Sequence, residues 1–461
     1  MKKVSPFIIL ALVFIPFDGV PVLFPTTYRP LSLLFLIPSL LLIVLSIGWT
    51  LRLRKSVAKL TLAFVYFSLS SIILTTYFGY AWDGFLDFFV TFSLGISAFT
   101  VFLTAFTRIR SRCESNDELI ALVFKYISIG YVIMILVGCV EFLSLYTPAV
   151  SVDVKKTLNL LTSGKISSRL QLTSGEPSWA ARQALFGLPI LLIAKGRNSF
   201  WTISLFVLFL LTFSLEGFFV MALSTLVYFA YLYWEKKRTF FRKMLKVTLG
   251  LVFLSTVVFF FAKEVFLKGN GYYSTRFDKL ASLQSVQLAN LIYLDESVFL
   301  RTAYPAAAFL MFVDYPVLGV GGGNYRYHFG KYINENFPSA SKFGFTQMKR
   351  QHIGKKEQTK NVYARMLGEF GLVGITMFLF FLAGLTKRLR NAQILNEKTK
   401  RYLFLWFIMC VLSLIQFDSF AYINFWLLSA FILSLRNARH PDITGEKTNM
   451  ALVSKPTKRH C

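Results

Sequence analysis

Residues 363–384 read YARMLGEFGLVGITMFLFFLAG, an apolar run long enough to cross a bilayer as a single α-helix. Its only charged residues, Arg365 and Glu369, lie four positions apart and therefore share one helix face, where they can pair. At about 1.5 Å per residue, Glu369 would lie roughly 10 Å below the start of the helix. An ionisable residue at that depth is a candidate for function, and a buried structural ion pair is the alternative.

Apolar runs of this kind recur along the whole chain. Hydrophobic residues make up 55% of its 461 residues, whereas a soluble globular protein has about 45–50%. The sequence therefore predicts an all-α polytopic membrane protein with about twelve transmembrane helices and a long polar segment before the tenth. The predicted spans are 7–24, 31–49, 60–78, 85–106, 119–146, 179–195, 199–215, 217–234, 245–262, 363–384, 402–418 and 420–435.

The distribution of basic residues predicts how these spans are oriented. The net charge is +27, and most Lys and Arg residues stand in short clusters at span ends, a pattern typical of membrane topology and not of nucleic-acid binding. One set of loops holds these clusters, whereas the opposite set of short loops holds only Arg29. We therefore expect both termini in the cytoplasm, and residues 147–178 and 263–362 facing outward.

The same distribution divides the chain into four parts. Residues 1–262 hold nine spans and the outward segment 147–178, and residues 263–362 form the long outward segment. Residues 363–435 hold the last three spans, and residues 436–461 form a polar tail that we expect to be disordered in the cytoplasm.

The long outward segment is cationic, with thirteen Lys or Arg residues against seven Asp or Glu. Positive charge near a span retards export, so a cationic outward segment suggests a function, such as holding an anionic ligand at the membrane surface. Within it, Ala303–Val313 is apolar enough to pack or to lie at the interface as an amphipathic helix. The run Gly319–Gly323 permits a tight turn whose backbone N–H groups either cradle a phosphate or simply reverse the chain.

A second candidate region lies before the sixth span. Glu176 and Pro177 suit a first helical turn, and Arg182 would lie about one turn inside the bilayer, where a charge needs a partner or water. This pattern indicates either a site for an anion or a sugar, or an arginine that extends to the interface with Glu176 as its partner.

Metal-binding patterns are not found in the sequence. No Asp-x-Asp pair occurs, which many glycosyltransferases use to hold a metal and a nucleotide sugar, and the four histidines lack zinc spacing. We therefore expect no metal and no cofactor, so that fixed cations must stabilise any anion.

Together, these stretches resemble the O-antigen polymerase and O-antigen ligase superfamily. The resemblance rests on an Arg followed by Glu-Pro-Ser at 176–178 before a middle span, and on Arg301 ahead of Asp-x-Pro-x-x-Gly-x-Gly-x-Gly-Asn at 314–324. It also rests on the long outward segment before a late span and on the late-span pattern Glu-x-Gly-Leu-x-Gly, which begins at Glu369.

The resemblance implies a GT-C-like fold and an enzyme of the bacterial inner membrane. Such an enzyme polymerises glycan repeats carried on undecaprenyl diphosphate at the periplasmic face, and a chain-length regulator is suggested as a partner besides membrane lipids. Cations should stabilise the departing diphosphate, and a carboxylate should take the proton from the attacking hydroxyl. The candidates for proton acceptor are Glu176 and Glu369. The candidates for binding diphosphate or sugar are Arg169, Arg182, Arg301, Tyr325, Lys360, Asn361 and Arg365.

Two positions depart from the family pattern. Ligases usually carry a His-Asn pair at a fixed spacing before Gly-x-x-Gly; Asn361 keeps that spacing to Gly371, but Lys360 stands where the His would be. Many members also carry Ser-Arg-Gly in a middle span, whereas the corresponding stretch, residues 214–217, reads Ser-Leu-Glu-Gly. The missing His favours a polymerase over the alternative of a ligase that transfers glycan to lipid A-core. A non-enzymatic flippase of lipid-linked oligosaccharides is the other alternative, and charges concentrated on the outward face favour an enzyme instead.

Overall fold

The computed structural model describes residues 4–19, 30–47, 55–146, 169–234, 296–337 and 358–437. In these ranges the protein is built of α-helices, and its β-type pairing is limited to isolated bridges, one of which joins Ala392 and Asn437. The helices are α1 (Pro6–Val13), α2 (Ser32–Ile47), α3 (Lys55–Phe78), α4 (Asp83–Ser111), α5 (Asn116–Tyr146), α6 (Pro177–Ala194), α7 (Phe200–Leu211), α8 (Leu215–Trp234), α9 (Glu296–Asp314), α10 (Tyr325–Asn336), α11 (Val362–Arg390), α12 (Glu397–Ser413) and α13 (Ile423–Ser434). A short 3-10 helix, Leu414–Gln416, lies between α12 and α13.

Six helices among the described residues are long and apolar enough to cross a membrane, which confirms an all-α polytopic membrane protein. Each predicted span except the ninth overlaps a helix of the structure. The ninth, 245–262, lies outside the described residues, so the number of twelve stays a prediction. The six stretches are Val57–Phe78, Asp83–Ser111, Asn116–Ser144, Leu215–Tyr233, Val362–Arg390 and Glu397–Gln416.

The helix in the first predicted span, 7–24, is shorter than predicted, because α1 ends at Val13. Pro16 follows in the turn after it, and proline has no backbone N–H with which to continue a helix. α1 packs closely on α5, since a Cβ at Gly130 would lie 1.9 Å from the Val13 carbonyl oxygen. Apolar composition therefore predicted the position of this segment but not the end of its helix.

A close contact between α4 and α13 fixes the residues that lead into α13. A Cβ at Gly95 would lie 2.3 Å from Trp426 Nε1, so only glycine admits the indole at this point. The indole donates a hydrogen bond to the Phe420 carbonyl oxygen at 2.6 Å. The Phe420 ring packs in turn on Phe88 and Phe92, at centroid distances of 5.7 and 5.2 Å. This aromatic packing holds the start of α13 against α4.

Contacts at one end of the bundle join segments that the charge pattern predicts in the cytoplasm. Asn116 Nδ2 donates to the carbonyl oxygens of Gln393 and Arg436 at 2.7 and 2.9 Å, and Arg110 Nη1 donates to the Ser434 carbonyl oxygen at 2.9 Å. At the other end, α10 contacts the turn between α3 and α4, and both are predicted to face outward. The bundle thus keeps the two predicted sets of loops apart, while their orientation across the membrane stays a prediction.

The glycine-rich turn of the long outward segment, Gly319–Gly323, is docked against α11. The N–H groups of Val320 and Gly321 donate to the carbonyl oxygens of Gly368 and Glu369 at 3.0 and 2.8 Å. The N–H of Gly322 donates to a serine hydroxyl of α3 at 2.7 Å. Because these donors are already used within the protein, the turn reverses and anchors the chain, and its N–H groups do not form a phosphate cradle.

The docked turn requires a kink in α11 at Gly371. This residue has φ 61° and ψ −155°, a conformation essentially restricted to glycine. A Cβ there would lie 2.4 Å from the Val317 carbonyl oxygen. We expect Gly371→Ala to destabilise the protein by at least about 1–3 kcal/mol, because strain and steric overlap act together. The melting temperature of the purified protein measures this loss.

Gly384 provides the matched control in the same helix. A Cβ at Gly384 meets no atom within 4 Å, so Gly384→Ala should leave the melting temperature equal or slightly raised. Equal losses in the two variants would contradict the assignment of strain to Gly371.

Helix α10 is held to the α3–α4 turn by polar contacts. Arg326 forms ion pairs with Asp83 and Asp87, each at 3.2 Å. The Tyr327 hydroxyl donates to the Ala81 carbonyl oxygen at 2.9 Å. These contacts fix α10, and with it the part of the long outward segment that follows the glycine-rich turn.

His328 lies in the same contact as a neutral side chain. Its Nε2 lies 3.1 Å from the Tyr80 hydroxyl, and its ring packs edge-on against Phe78 and Tyr315 at centroid distances of 5.1 and 5.5 Å. The pKa of His328 is lowered from 6.5 to about 4, mainly by burial and also by nearby Lys331, while nearby Asp314 opposes this shift. The packing therefore favours the uncharged imidazole.

This depressed pKa makes the docking of α10 sensitive to acid. Since the docked pKa is below the undocked value, docking is favoured above about pH 6.5 and weakens as the pH falls towards about 4. We expect the free energy that favours docking of α10 to fall by about 2 kcal/mol between pH 7 and pH 5. Hydrogen exchange of the α10 amides at both pH values measures the loss. In His328→Gln the pH-dependent part should disappear, and an unchanged pH dependence in that variant would contradict the assignment.

Candidate active site

Arg182 lies in the second turn of α6, with its guanidinium held by aromatic rings. Its guanidinium carbon is 4.1 Å from the ring centroid of Phe417, 5.5 Å from that of Tyr422 and 5.8 Å from that of Trp179. The residue is 4% exposed, and none of its three side-chain nitrogens has a hydrogen-bond partner in the described part of the chain. Contact with ring faces holds a guanidinium and leaves its N–H edge unused, so Arg182 can offer donors to an oxyanion.

The carboxylate of Glu216 brings two of the predicted arginines together. Arg301 Nη2 lies 2.5 Å from Glu216 Oε2, and Arg182 Nη1 lies 4.0 Å from Glu216 Oε1. Glu216 and Arg182 are buried, whereas the Arg301 side chain is 35% exposed. These three residues, here called the arginine cluster, carry one net positive charge. A buried positive charge that is not fully neutralised attracts an anion.

A close helix contact positions Glu216. Residues 214–217 are the only interruption between the seventh and eighth predicted spans, and Gly217 N–H donates to Ser214 Oγ at 3.1 Å there. A Cβ at Gly217 would lie 2.7 Å from Ala181 Cβ, so glycine allows the start of α8 to approach α6 next to Arg182. Glu216 also lies in the first turn of α8, where the helix dipole stabilises a negative charge.

Residues 416–422, here called the connector, link the arginine cluster to the start of α11. The ring of Phe417 contacts Arg182, and the backbone N–H of Lys360 donates to Asp418 Oδ2 at 2.8 Å. Arg365 Nη1 donates to the Asp418 carbonyl oxygen at 2.8 Å. The candidate region around Arg182 and the candidate region at the start of α11 therefore meet at the connector.

Lys360 and Asn361 form the N-terminal boundary of α11. Lys360 has φ 58°, a left-handed conformation that is uncommon outside glycine, and its N–H bond to Asp418 holds it there. Asn361 is the N-cap of α11, and its Oδ1 accepts a hydrogen bond from the Ala364 N–H at 3.0 Å. The structure thus gives the Asn361 side chain a capping contact and leaves its predicted role in substrate binding untested.

Arg365 and Glu369 form the ion pair expected from their spacing. Arg365 Nε lies 2.8 Å from Glu369 Oε2, and both residues are buried. The Arg365 guanidinium also lies 4.6 Å from the ring centroid of Phe420. This geometry supports the reading of a buried structural pair, while a catalytic role for Glu369 stays a prediction.

Glu176 is exposed at the start of α6. Its Oε2 lies 3.4 Å from Ser178 Oγ, and it precedes Arg182 by about 9 Å along the helix axis at about 1.5 Å per residue. The carboxylate that meets Arg182 is that of Glu216, so the alternative in which Glu176 partners Arg182 finds no support in the geometry.

Two other predicted binding residues lie outside the arginine cluster. Tyr325 is buried beneath α9, and its hydroxyl donates to the Tyr304 carbonyl oxygen at 2.8 Å. Arg169 precedes a turn that α5 holds, in which Glu141 Oε1 accepts a hydrogen bond from the Gln171 N–H at 2.9 Å.

Sequence reasoning missed the residues that assemble the cluster. In the sequence, Glu216 was recognisable only as a charged residue within a long apolar run. Phe417 and Tyr422 were two of many aromatic residues in the chain. Glu216 interrupts one apolar run that holds two predicted spans, and a charge embedded in such a run is a functional candidate, so Glu216 carried the one usable signal.

The geometry defines a polytopic α-helical membrane protein with a cluster of two arginines and one carboxylate, in which Arg182 and Glu216 are buried. Residues 200–379, about two fifths of the chain, match the family model described as O-antigen ligase. The match includes Glu216, Arg301 and Arg365, whereas Arg182 precedes it. It confirms the resemblance to the O-antigen ligase and polymerase superfamily and supports a glycosyltransferase-type function on lipid-linked glycans. No curated protein matches the chain.

Proposed function

We propose that the protein polymerises oligosaccharide repeats carried on undecaprenyl diphosphate at the periplasmic face of the bacterial inner membrane. A sugar hydroxyl of one lipid-linked repeat attacks the anomeric carbon of the growing chain. The new glycosidic bond forms as the bond from that carbon to the phosphate oxygen breaks, and the lipid diphosphate leaves. The main support is Arg182, whose buried nitrogens lack hydrogen-bond partners among the described residues.

In this proposal, the arginine cluster binds the departing diphosphate. Charge builds on the leaving oxygen as the bond breaks, and fixed donors in a buried site stabilise that charge without reorganising. Arg182 supplies unused N–H donors, and Arg301, which is partly exposed, approaches from the long outward segment. Glu216 separates the two guanidinium groups and keeps them from repelling each other before substrate binds.

We propose Glu176 as the proton acceptor in preference to Glu369. A general base must come within hydrogen-bond reach of the hydroxyl that it deprotonates. Glu176 is exposed at the start of the helix that carries Arg182, whereas Glu369 is buried and bonded to Arg365. A sugar can therefore approach Glu176 without breaking an ion pair.

A ligase that transfers glycan to lipid A-core is the second candidate, and the description of the matching family favours it. Both candidates use the same donor and the same leaving group, so the arginine cluster serves either one. The residue at position 360 helps to choose between the two candidates. Ligases usually have a His at this position, and the Lys found here supports the polymerase.

The surface glycan of a strain that lacks the gene distinguishes the two candidates. Loss of a polymerase should leave surface-attached glycan one repeat long, visible as a single low band on a gel. Loss of a ligase should remove surface-attached glycan altogether. Complete absence of surface-attached glycan would therefore overturn the polymerase proposal, and the arginine cluster would then serve a ligase.

A further inference from the structure

A cavity of about 780 Å³ lies at the end of the bundle opposite to the arginine cluster. It opens between the ends of α8 and α11 and the start of α12. Along α11, at about 1.5 Å per residue, it lies roughly 35 Å from the level of Arg365, which is close to the thickness of a bilayer. Its lining includes three cations, Lys387, Arg390 and Lys400, together with Tyr231, Ala383 and Thr386.

The three cavity cations differ from other cations at the same end of the bundle. Arg110 Nη1 donates to the Ser434 carbonyl oxygen at 2.9 Å, and Arg436 Nη2 donates to the Cys113 carbonyl oxygen at 3.0 Å. Those side chains donate hydrogen bonds to carbonyl groups at helix ends, which lack partners within the helix. The side chains of the three cavity cations make no hydrogen bond or ion pair with the part of the chain that the structure describes.

The charge of the cavity is uncompensated by its lining. Among the described residues no carboxylate lines it, and Glu397, the described acidic residue closest in sequence to Lys400, lies outside the lining. Three like charges around one cavity repel each other, and an anion bound among them removes that repulsion. The lining therefore selects for a negatively charged ligand.

The helix surface beside the cavity is apolar and exposed. Phe380 lies one turn before Ala383 on α11 and is 73% exposed, and Lys387 continues the same face one turn further on. On α8, Tyr233 close to Tyr231 is 60% exposed. In a membrane-spanning helix such a surface faces hydrocarbon, with the cations at the level of the headgroups. A ligand in this cavity would contact the cations at the level of the headgroups and the apolar helix surface at the level of the hydrocarbon.

We propose that this cavity binds the headgroup of an anionic phospholipid, with the phosphodiester among the three cavity cations and the acyl chains along Phe380. Basic pockets between helices at the cytoplasmic side of membrane proteins recognise such headgroups. The charge pattern predicts that this end of the bundle faces the cytoplasm. The site is separate from the arginine cluster and independent of the proposed reaction.

Lipid retention tests the proposal on the full-length protein. The protein is placed in bilayers of dioleoyl phosphatidylcholine that contain a minority of dioleoyl phosphatidylglycerol, extracted in mild detergent, and the retained lipids are counted by native mass spectrometry. The first variant neutralises the cavity: Lys387→Gln, Arg390→Gln and Lys400→Gln. The control neutralises three exposed cations of the same predicted face outside the cavity: Arg108→Gln, Lys195→Gln and Lys398→Gln.

We expect the cavity variant to retain at least about tenfold less phosphatidylglycerol relative to phosphatidylcholine, and the control variant to stay within about twofold of the parent. Equal losses in the two variants, or unchanged retention in the cavity variant, would overturn the proposal. A cavity variant that remains monodisperse and retains phosphatidylcholine normally shows that its loss is not misfolding. If soluble glycerol 1-phosphate displaces the lipid at a similar concentration, the cavity recognises phosphate alone and the lipid assignment is wrong.

Discussion

Arg301→Ala should reduce the yield of long-chain glycan by about 100-fold or more, because removing one donor from a charge-stabilising site costs about that much in rate. Without Arg301, Glu216 is left to pair with Arg182 alone, and the net charge of the arginine cluster falls from one to zero. The site then loses both a ligand for the diphosphate and its attraction for an anion. Gel analysis of surface glycan, with the membrane level of the variant held equal by immunoblot, measures the effect.

Restoring the charge balance should restore part of the activity. In Arg301→Ala with Glu216→Gln, Arg182 is the only charged member of the arginine cluster, and its net charge is again one. We expect this double variant to make more long-chain glycan than Arg301→Ala alone. If the two variants are equal, Arg301 acts through its own contacts and not through the charge of the cluster.

A cation elsewhere in the long outward segment provides the matched control. Lys331 is exposed on α10, away from the arginine cluster, and Lys331→Ala should leave chain length normal. Normal chain length in Arg301→Ala would contradict the role of the cluster in transfer. Loss of activity on chelation of divalent ions would contradict the expectation that cations of the protein replace a metal.

The sequence predicted the helices of this protein better than its site. Apolar run length is a local property, so most predicted spans coincide with helices, and the Arg365–Glu369 pair follows from helical spacing alone. The contact of Arg301 with Glu216 joins residues 85 positions apart, and no local sequence pattern predicts it. Glu216 also comes close to Arg182 because Gly217 allows α8 to approach α6, and this role of Gly217 emerges only from packing.

The side chains of Asn361 and Tyr325, which were predicted to bind substrate, make contacts that stabilise the fold. Asn361 was predicted to bind substrate, but it precedes a helix, the position where asparagine most often caps, and the structure shows that cap. Tyr325 was predicted to bind a sugar, and this role stays a prediction; in the structure the residue is buried and its hydroxyl donates to the Tyr304 carbonyl oxygen. The capping signal was present in the sequence, whereas burial of Tyr325 depends on how α9 and α10 fold together.

The Arg365–Glu369 pair distinguishes a structural carboxylate from a catalytic one. Each single replacement, Arg365→Met or Glu369→Leu, leaves the other charge buried without its partner and should destabilise the protein by about 3–5 kcal/mol. The double variant removes both charges and replaces them with apolar side chains of similar size. Its stability should return to within about 1–2 kcal/mol of the parent, since the hydrogen bond from Arg365 to the Asp418 carbonyl is also lost. Melting temperatures of the four proteins measure this cycle.

Activity of the same double variant decides which carboxylate accepts the proton. If Glu369 only pairs with Arg365, the double variant should fold and still make long-chain glycan, whereas Glu176→Gln should fold and lose about 100-fold or more of it. A double variant that folds normally but makes no polymer, beside an active Glu176→Gln, would reverse the assignment. Glu369 would then be the base, and the buried ion pair would have to open when the acceptor sugar binds. The exposed position of Glu176 and the 2.8 Å contact of Glu369 with Arg365 favour the first outcome.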